Sequence, residues 1–418
     1  MSAEKALDAR MAIEALRAGV PNRSAIRLLA SADSPLAQEF QNRLRACRQG
    51  LREDRAVDGI IIAGAFGAGK SHQLGYLGEL ARQENWIVSL LPISKETPLF
   101  DPAKVFAAAV RTAIVPDAND DVMTAAMQRL GERRNDDVRL ELWTDEEVRN
   151  GRLARLFAAL LRLIQKGNVQ PDDLARIARF FGGAKLNLGE VKRWLKEAGV
   201  AKLFQLSPVR ARDLTRQRLR FAPRLLTAAG FSGWCILLDE VELIGRYSLL
   251  QRGKSYSELA WWLGMDDKTG IPGVFTIAAI TEDFSAAMFD RMGDDETVAP
   301  LLEQRGLAHE GALARLAIGR LKREDYRLNA PDESHLRQAL AKIRILYEDA
   351  YGWQPPSTEL APPQASKFMR QHVKSWITAW DIQRLYGESA RIRIEKFEPD
   401  YTESSGLEQS PGADEGAE

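Results

Sequence analysis

The sequence contains little cysteine and little histidine, and this scarcity excludes several classes of protein. Its 418 residues include two cysteines, Cys47 and Cys235, and four histidines. Two cysteines cannot build a disulfide framework, and the chain has no CxxC pair for a zinc knuckle. No apolar run approaches the roughly 18–20 residues that a membrane-spanning helix needs, and the N-terminal stretch has no signal-peptide core. We therefore expect a cytoplasmic protein without a membrane segment.

The chain also lacks an excess of charge of either sign. Lys plus Arg count 58 and Asp plus Glu count 58, so the formal net charge is zero. This balance excludes a strongly basic nucleic-acid coat protein and an acidic mimic of nucleic acid. Hydrophobic residues make up 45% of the chain, as in ordinary globular proteins. The exception is the segment 401–418, with five acids and no base, which we predict to be a disordered acidic tail.

Short apolar runs alternate with helical patterns along the chain. Such runs occur at 59–64, 86–93, 235–238 and 274–280, with a shorter fifth run at 315–318. A continuous apolar run is typical of a strand buried on both faces, and helices between the runs indicate parallel pairing. The predicted fold class is therefore α/β, with a parallel five-stranded sheet and crossover helices.

The gap between the second and third predicted strands is much longer than one crossover helix requires. Within it, apolar residues recur at helical spacing from Leu153 to Ile164, and further helices are predicted at 172–181 and 190–198. We therefore predict a large all-helical insertion at about 116–225, placed within the α/β unit.

One glycine-rich segment carries the strongest functional signal. Residues 64–71 fit the phosphate-binding pattern G-x-x-x-x-G-K-[ST] in full, between a predicted strand and a predicted helix. Glycines let such a loop wrap a phosphate with backbone N–H groups. Lys70 is predicted to reach the β and γ phosphates, and Ser71 to bind Mg²⁺. The alternative is a glycine-rich turn in a protein that binds no nucleotide.

The second half of a nucleotide site is predicted where the third strand ends in acids. Asp239 is expected to hold Mg²⁺ through water, and Glu240 to polarise the attacking water, so the pair indicates hydrolysis. Glu242 is expected to face solvent or to pair with an arginine. The predicted cofactors are ATP and Mg²⁺. The predicted nucleotide-binding residues are Gly64, Ala65, Phe66, Gly67, Ala68, Gly69, Lys70, Ser71, His72, Asp239 and Arg370.

Four further residues are candidates for completing the site, and each has a second interpretation. Thr281, at the end of the fourth predicted strand, could sense the γ-phosphate or cap the following helix. Arg291 and Arg305 could each act as an arginine finger on a neighbouring subunit's nucleotide, or form a surface salt bridge. Arg370 could reach the nucleotide from a helical lid, or lie on an ordinary helix surface.

Arginines are concentrated just before the third predicted strand. Residues 210–224 hold six arginines and one aspartate. Arg212, Arg216 and Arg220 share a helical face, so contact with the phosphates of duplex DNA is one interpretation. A solvated helix face is the other. A second candidate contact for a polyanion consists of Arg246, Arg252 and Lys254.

With both halves of the site placed, the sequence resembles AAA+ type P-loop ATPases of the initiator-like branch. More narrowly, it resembles the BrxD family, the ATP-binding proteins of bacterial BREX phage-defence systems. The stretches that carry this resemblance are 15–22, 64–72, 93–99 and 238–242, and it extends over most of 10–390. The first and third stretches are more specific than the phosphate-binding pattern, which many families share.

Together with the helical pattern, the resemblance implies a helical lead-in at 1–55, an ATPase core at 56–320 and a helical lid at 321–400. It also implies a cytoplasmic ATPase that works beside other defence proteins, among them a helicase and a DNA methyltransferase. We expect a homo-oligomer, because an arginine finger acts on a neighbouring subunit. Thr281 stands where AAA+ proteins commonly have asparagine.

Two functions compete on these observations. The first is an ATPase whose turnover drives assembly or remodelling of a DNA-associated defence complex, which the pair of Asp239 and Glu240 favours. The second is a nucleotide-gated adaptor that binds ATP, acts through its conformation and turns over little. A small-molecule kinase is disfavoured by the large helical insertion and by the acids at the strand end.

Overall fold

The computed structural model describes most of the chain. The predicted tail at 401–418 and the part of the lead-in at 19–33 lie outside the described residues. The described stretches are 3–18, 34–116, 120–132, 138–167, 169–266, 270–329, 332–356 and 369–388.

A six-stranded, mostly parallel sheet organises the molecule, in the order β3-β2-β4-β5-β1-β6. Five strands run parallel, and the short edge strand β3 is antiparallel to β2. Because all carboxyl ends of the parallel strands meet at one edge of a sheet, residues that follow different strands come together there. The strands are β1 (Ile60–Gly64), β2 (Ile87–Pro92), β3 (Ala113–Ile114), β4 (Trp234–Asp239), β5 (Val274–Thr281) and β6 (Tyr326–Leu328).

Helices cover both faces of the sheet and form a separate cluster beyond it. They are α1 (Ala3–Ala18), α2 (Pro35–Arg52), α3 (Lys70–Gln83), α4 (Pro102–Arg111), α5 (Val122–Glu132), α6 (Val138–Arg149), α7 (Arg155–Lys166), α8 (Pro171–Phe181), α9 (Leu188–Glu197), α10 (Ala211–Ala228), α11 (Leu249–Trp262), α12 (Asp294–Gln304), α13 (Ala308–Arg323), α14 (Glu333–Tyr351) and α15 (Met369–Tyr386).

The central strands are apolar throughout because each contributes to a core on either side of the sheet. Every residue of β1, β4 and β5 is buried. In β1, Ile61 and Ala63 pack into the larger core, while Ile60 and Ile62 pack into the smaller one against α2 and α3. This alternation follows from the two-residue period of a strand.

The predicted fifth strand at 315–318 is wrong. These residues belong to α13, in which Ala314, Ala317, Ile318 and Leu321 are buried at helical spacing while Leu316 is exposed. The strand that pairs with the free side of β1 is instead β6, and β3 adds a further strand at the opposite edge. A strand as short as β6, with a charged residue at its centre, gives no apolar run for a sequence pattern to detect.

The long gap between β2 and β4 is helical, as its apolar spacing indicates. Helix α7 buries most of one side against the larger core, and Phe157, Phe181 and Phe221 stack within that core. Helices α8 and α9 lie where helices were predicted at 172–181 and 190–198.

A third core joins the beginning of the chain to its C-terminal helices. Ala12 and Ile13 of α1 are fully buried against α14 and α15, together with Tyr347 and Trp380. Arg17 of α1 also donates a hydrogen bond to Asp381 of α15 at 3.0 Å. The first helix therefore packs in one helical cluster with α14 and α15, although it lies far from them in sequence.

Across the described ranges, from 3–18 to 369–388, the helices are each too short or too polar to cross a membrane.

Candidate functional site

The phosphate-binding pattern forms a loop between β1 and α3. Gly67 and Gly69 have φ angles of 80° and 99°, a region in which a residue with a Cβ is strained. Positive φ angles of this kind allow a loop to turn N–H groups toward a phosphate, next to the positive end of a helix. The loop therefore has the backbone form that a phosphate site requires.

The Lys70 side chain folds back over the loop. Its Nζ donates hydrogen bonds to the carbonyl oxygens of Gly64, at 3.0 Å, and Ala65, at 3.2 Å. Burial lowers the pKa of Lys70, and the nearby carboxylates of Glu242 and Asp239 oppose that shift. Because the present hydrogen-bond partners of Nζ are neutral carbonyl oxygens, a phosphate could replace them with stronger, charge-assisted hydrogen bonds.

Asp239 and Glu240 follow β4 at the same edge of the sheet. Asp239 is buried, and its carboxylate accepts a hydrogen bond from the Glu240 N–H at 3.0 Å. Glu240 has a left-handed backbone, with φ of 56°, which costs a residue other than glycine about 1–3 kcal/mol. Strain of this kind is typical of functional sites.

The charges around Glu240 connect the two halves of the site. Glu240 is exposed, but partial desolvation of its carboxylate and the neighbouring Asp239 raise its pKa, whereas Arg370 and Lys70 lower it. The structure thus brings Asp239, Glu240, Lys70 and Arg370 into one electrostatic environment.

Glu242 lies next to the candidate site, although its sequence pattern did not predict this position. Its predicted position, facing solvent or an arginine, is wrong: Oε2 is buried and has no hydrogen-bond partner among the described residues. Burial raises the pKa of Glu242 to about 7, and Lys70 is the charge that most opposes the shift. The left-handed Glu240 leads into a 3₁₀ turn, Val241–Arg246, which directs Glu242 toward the loop.

Thr281 lies at the end of β5, directly beside the start of the loop. It is paired in register with Gly64 and is buried. The helical segment that follows, Ala286–Arg291, begins several residues later, so Thr281 is not at its capping position. This placement agrees with the position of a phosphate-sensing residue, because β5 separates β4 from β1.

Helix α15 contacts the loop through Arg370, close to its start. The Arg370 N–H donates a hydrogen bond to the Gly67 carbonyl at 3.5 Å, and the guanidinium lies 5.7 Å from the centre of the Phe66 ring. Arg370 is therefore at the loop rather than on a distant helix surface.

The family model for the BREX system ATP-binding protein BrxC/D matches residues 5–187 and 196–380. The chain belongs to the BrxC/D family. No curated protein and no solved structure matches it. The family description covers BrxC and BrxD together, so the family is confirmed, while the narrower resemblance to BrxD stays a prediction.

The two candidate finger arginines of this BrxC/D protein lie at opposite ends of the sheet. Arg291 ends the segment that follows the carboxyl end of β5. Arg305 lies at the turn between α12 and α13, where His309 contacts Asp266 near the amino end of β5. Both side chains are exposed, and within the described part of the chain neither forms an ion pair. Arg291 is the one on the side of the phosphate loop.

The arginines proposed to contact duplex DNA are held by acids of the same chain. Arg212 pairs with Glu310 at 3.2 Å. Arg216 pairs with Glu258, and its guanidinium lies 4.0 Å from the centre of the Trp261 ring. The third arginine is held by two acids that lie far from it in sequence: Arg220 pairs with Asp54 and Glu147. These arginines connect α10 to neighbouring helices, which weakens the case for a DNA contact.

Arg252, the central member of the second candidate contact, is also internal. Its guanidinium is buried and makes a bidentate pair with Asp294. A contact between Arg252 and an external polyanion is therefore a wrong prediction. The basic residues that follow the acidic end of β4 look alike in sequence. The buried position of Arg252 could therefore not be predicted.

Substitution of two α10 arginines will test their structural role in this BrxC/D protein. Arg216→Ala leaves the largely buried Glu258 without its partner, and we expect a loss of about 1–3 kcal/mol in the free energy of unfolding. Arg212→Ala removes an exposed pair and should cost less than about 1 kcal/mol. Chemical denaturation measures both. Weaker binding of duplex DNA by Arg212→Ala, at unchanged stability, would restore the DNA interpretation.

Proposed function

We propose that this ATP-binding BrxC/D protein hydrolyses ATP, and that turnover drives assembly or remodelling of a DNA-associated phage-defence complex. The observation that carries the proposal is the position of Glu240. It is exposed at the end of β4, next to the buried Asp239, and shares its electrostatic environment with Lys70. A carboxylate in this position can act as the general base for the attacking water.

The roles of the residues follow from their placement. Lys70 would exchange its bonds to loop carbonyls for bonds to the β and γ phosphates. Glu240 would orient a water molecule in line with the γ-phosphorus and take up its proton. The water oxygen then bonds to phosphorus while the bond to the β-phosphate oxygen breaks, giving ADP and phosphate. Thr281 would accept or donate a hydrogen bond near the γ-phosphate.

The residues present fit a bound Mg²⁺. Ser71 is the second residue of α3, next to Lys70, and Asp239 is a buried carboxylate at the end of β4. Oxygen ligands of this kind, completed by phosphate and water, are what Mg²⁺ prefers. Bound there, the ion would neutralise charge on the phosphates. We propose Ser71 and Asp239 as its protein ligands.

We also propose an AAA+ architecture and a homo-oligomeric assembly for this protein. Five parallel strands, with a short last strand that leads into a helical lid, support the AAA+ assignment with a core at 56–320 and a lid at 321–400. The lid arginine Arg370 would contact the nucleotide, and Arg291 would serve as finger in a homo-oligomer. Cytoplasmic partners would be other defence proteins, including a helicase and a DNA methyltransferase.

A second function, the nucleotide-gated adaptor, is favoured by one contact. The lid already touches the loop through Arg370 and Gly67. A nucleotide that fills the loop must compete with or rearrange this contact, so binding alone could move the lid. In that case a partner would respond to bound ATP without hydrolysis.

Steady-state ATP hydrolysis by the wild-type protein tests the first function. We expect turnover that requires Mg²⁺ and disappears with excess EDTA, because the phosphate charge is then left unneutralised. Duplex DNA is expected to stimulate turnover if the complex acts on DNA. Lys70→Ala protein, purified in parallel, controls for contaminating ATPases. Tight ATP binding without turnover, with or without DNA, would favour the adaptor.

A further inference from the structure

After its first residue, every exposed position of helix α2 is an amide or an arginine. These positions recur at intervals of three, four and seven residues, so they lie on one side of the helix. Glu39, the one acid within α2, lies beside this surface and pairs with Arg43 at 2.7 Å. We call the surface the α2 face; its residues are Gln38, Asn42, Arg45, Arg48, Gln49 and Arg52.

The three arginines of the α2 face are not balanced by acids. Within the described ranges, none of them forms an ion pair, and Arg45 donates a hydrogen bond to the neutral Asn42 at 3.2 Å. The first acid after the face, Glu53, accepts its hydrogen bonds from Gln49 and Arg55. The arginines of α10 differ, because acids of the same chain hold them. The positive charge of the α2 face is therefore available to an anion outside the chain.

The buried side of α2 fixes the position of these charges. Its apolar residues pack into the smaller core, where the rings of Phe40 and Phe275 lie 5.7 Å apart. At a rise of 1.5 Å per residue, the segment from Arg45 to Arg52 extends over about 10 Å of helix. Successive phosphates of one DNA strand are about 3.4 Å apart along the duplex axis. The arginines thus cover a length of about three phosphate steps on a rigid support.

The composition of the α2 face favours duplex DNA over other polyanions. Arginine, asparagine and glutamine are side chains that contact the phosphates and sugars of DNA. Single-stranded nucleic acid is held by stacking on aromatic side chains, and the α2 face has none. A helix at a membrane surface inserts its apolar side into the lipid, whereas the apolar side of α2 is already packed in the core.

We propose that the α2 face binds the phosphate backbone of duplex DNA, with Arg45, Arg48 and Arg52 as the charged contacts. This inference rests on the proposed function in one respect, that the complex acts on DNA. It places the DNA contact on α2 instead of α10. None of the three arginines belongs to the candidate nucleotide site, so DNA binding and ATP turnover can be measured separately.

Fluorescence anisotropy with a labelled duplex of mixed sequence, measured over a series of salt concentrations, tests the proposal. The whole chain is compared with a triple alanine variant and a triple lysine variant at positions 45, 48 and 52. A control variant removes the same amount of charge from exposed lysines in and next to α9, which form no ion pair within the described ranges: Lys192→Ala, Lys196→Ala and Lys202→Ala. Thermal unfolding checks that each variant is folded.

We expect the triple alanine variant to bind the duplex about 10- to 100-fold more weakly, the combined effect of three exposed charge contacts. The slope of log affinity against log salt should become shallower by about 3, close to one for each lost phosphate contact. The lysine variant should retain most of the affinity, and the α9 control should bind as the wild type does. ATP hydrolysis without DNA should be unchanged in all variants.

Three results would overturn the assignment. The first is a wild-type protein that does not bind the duplex, or an alanine variant that binds it equally well. The second is an equal loss in the α9 control, which would indicate attraction by net charge alone. The third is binding to phosphatidylserine vesicles, but not to the duplex, that the alanine variant loses. Absence of ATP turnover is a separate failure: it contradicts the proposed hydrolysis, while DNA binding that depends on the α2 face would still support this inference.

Discussion

Glu240→Gln is expected to bind ATP as the wild type does, while its turnover falls about 100- to 10 000-fold, the usual contribution of a general base. The substitution keeps the size of the side chain and removes the group that takes the proton from water. It also removes a negative charge near Lys70 and Arg370, so the ATP affinity should not fall. Steady-state kinetics give the turnover, and calorimetry with ATP gives the affinity.

Lys70→Ala is the matched control for this result. It should lose both affinity and turnover, because Lys70 supplies the charge that pairs with the phosphates. Glu240→Gln with unchanged turnover would remove Glu240 from the reaction, and the buried Glu242 would become the alternative acid. A Glu240→Gln protein that still protects cells from phage would show that hydrolysis is dispensable, as the adaptor requires.

The parts of the site that could be predicted are those formed by residues that are adjacent in sequence. The loop at 64–71 and the acids after β4 are contiguous patterns, and parallel strands bring them to one edge. The role of Glu242 depends on one backbone angle, the positive φ of Glu240, which no local pattern of glycine or asparagine indicated. A residue forced into this conformation by its surroundings is not visible in sequence.

The strands could be predicted where their apolar runs are long, but not where these runs are short. The buried strands β1, β4 and β5 have continuous apolar sequences. In contrast, Ala317 and Ile318 of the predicted run 315–318 satisfy both a short strand and one side of a helix, and length alone decides between them. β6 consists of three residues, Tyr326–Leu328, with an arginine at its centre, and is held by its pairing with β1.

The partners of charged residues could not be predicted either, because they lie far apart in sequence. Arg220 and Asp54 are separated by 166 positions, yet they form an ion pair. A helical face of arginines looks the same in sequence whether it meets DNA or the acids of its own chain. Only the packing of α10 against α6 and α11 decides between these interpretations.

Asp294→Asn is expected to destabilise the fold by about 3–5 kcal/mol, the usual cost of breaking a buried ion pair. Asp294 is fully buried. Its Oδ1 accepts two hydrogen bonds from the guanidinium of Arg252, and its Oδ2 accepts one. Oδ2 also accepts a hydrogen bond from the Tyr256 hydroxyl at 2.8 Å. Asparagine fills the same space but leaves the buried Arg252 charge uncompensated. Urea denaturation followed by circular dichroism measures the loss.

Asp295→Asn provides the control at the adjacent position. Asp295 pairs with Lys322 where both side chains are partly exposed, so its loss should cost less than about 1 kcal/mol. Equal effects at the two positions would show that the Arg252 pair contributes no more than a surface contact.

A larger effect at Asp294 has a consequence for the site, because the pair fixes the start of α11 against α12. The turn that carries Glu242 leads directly into α11, and Arg291 lies just before α12, so this buried pair ties the acidic turn to the segment of the proposed finger.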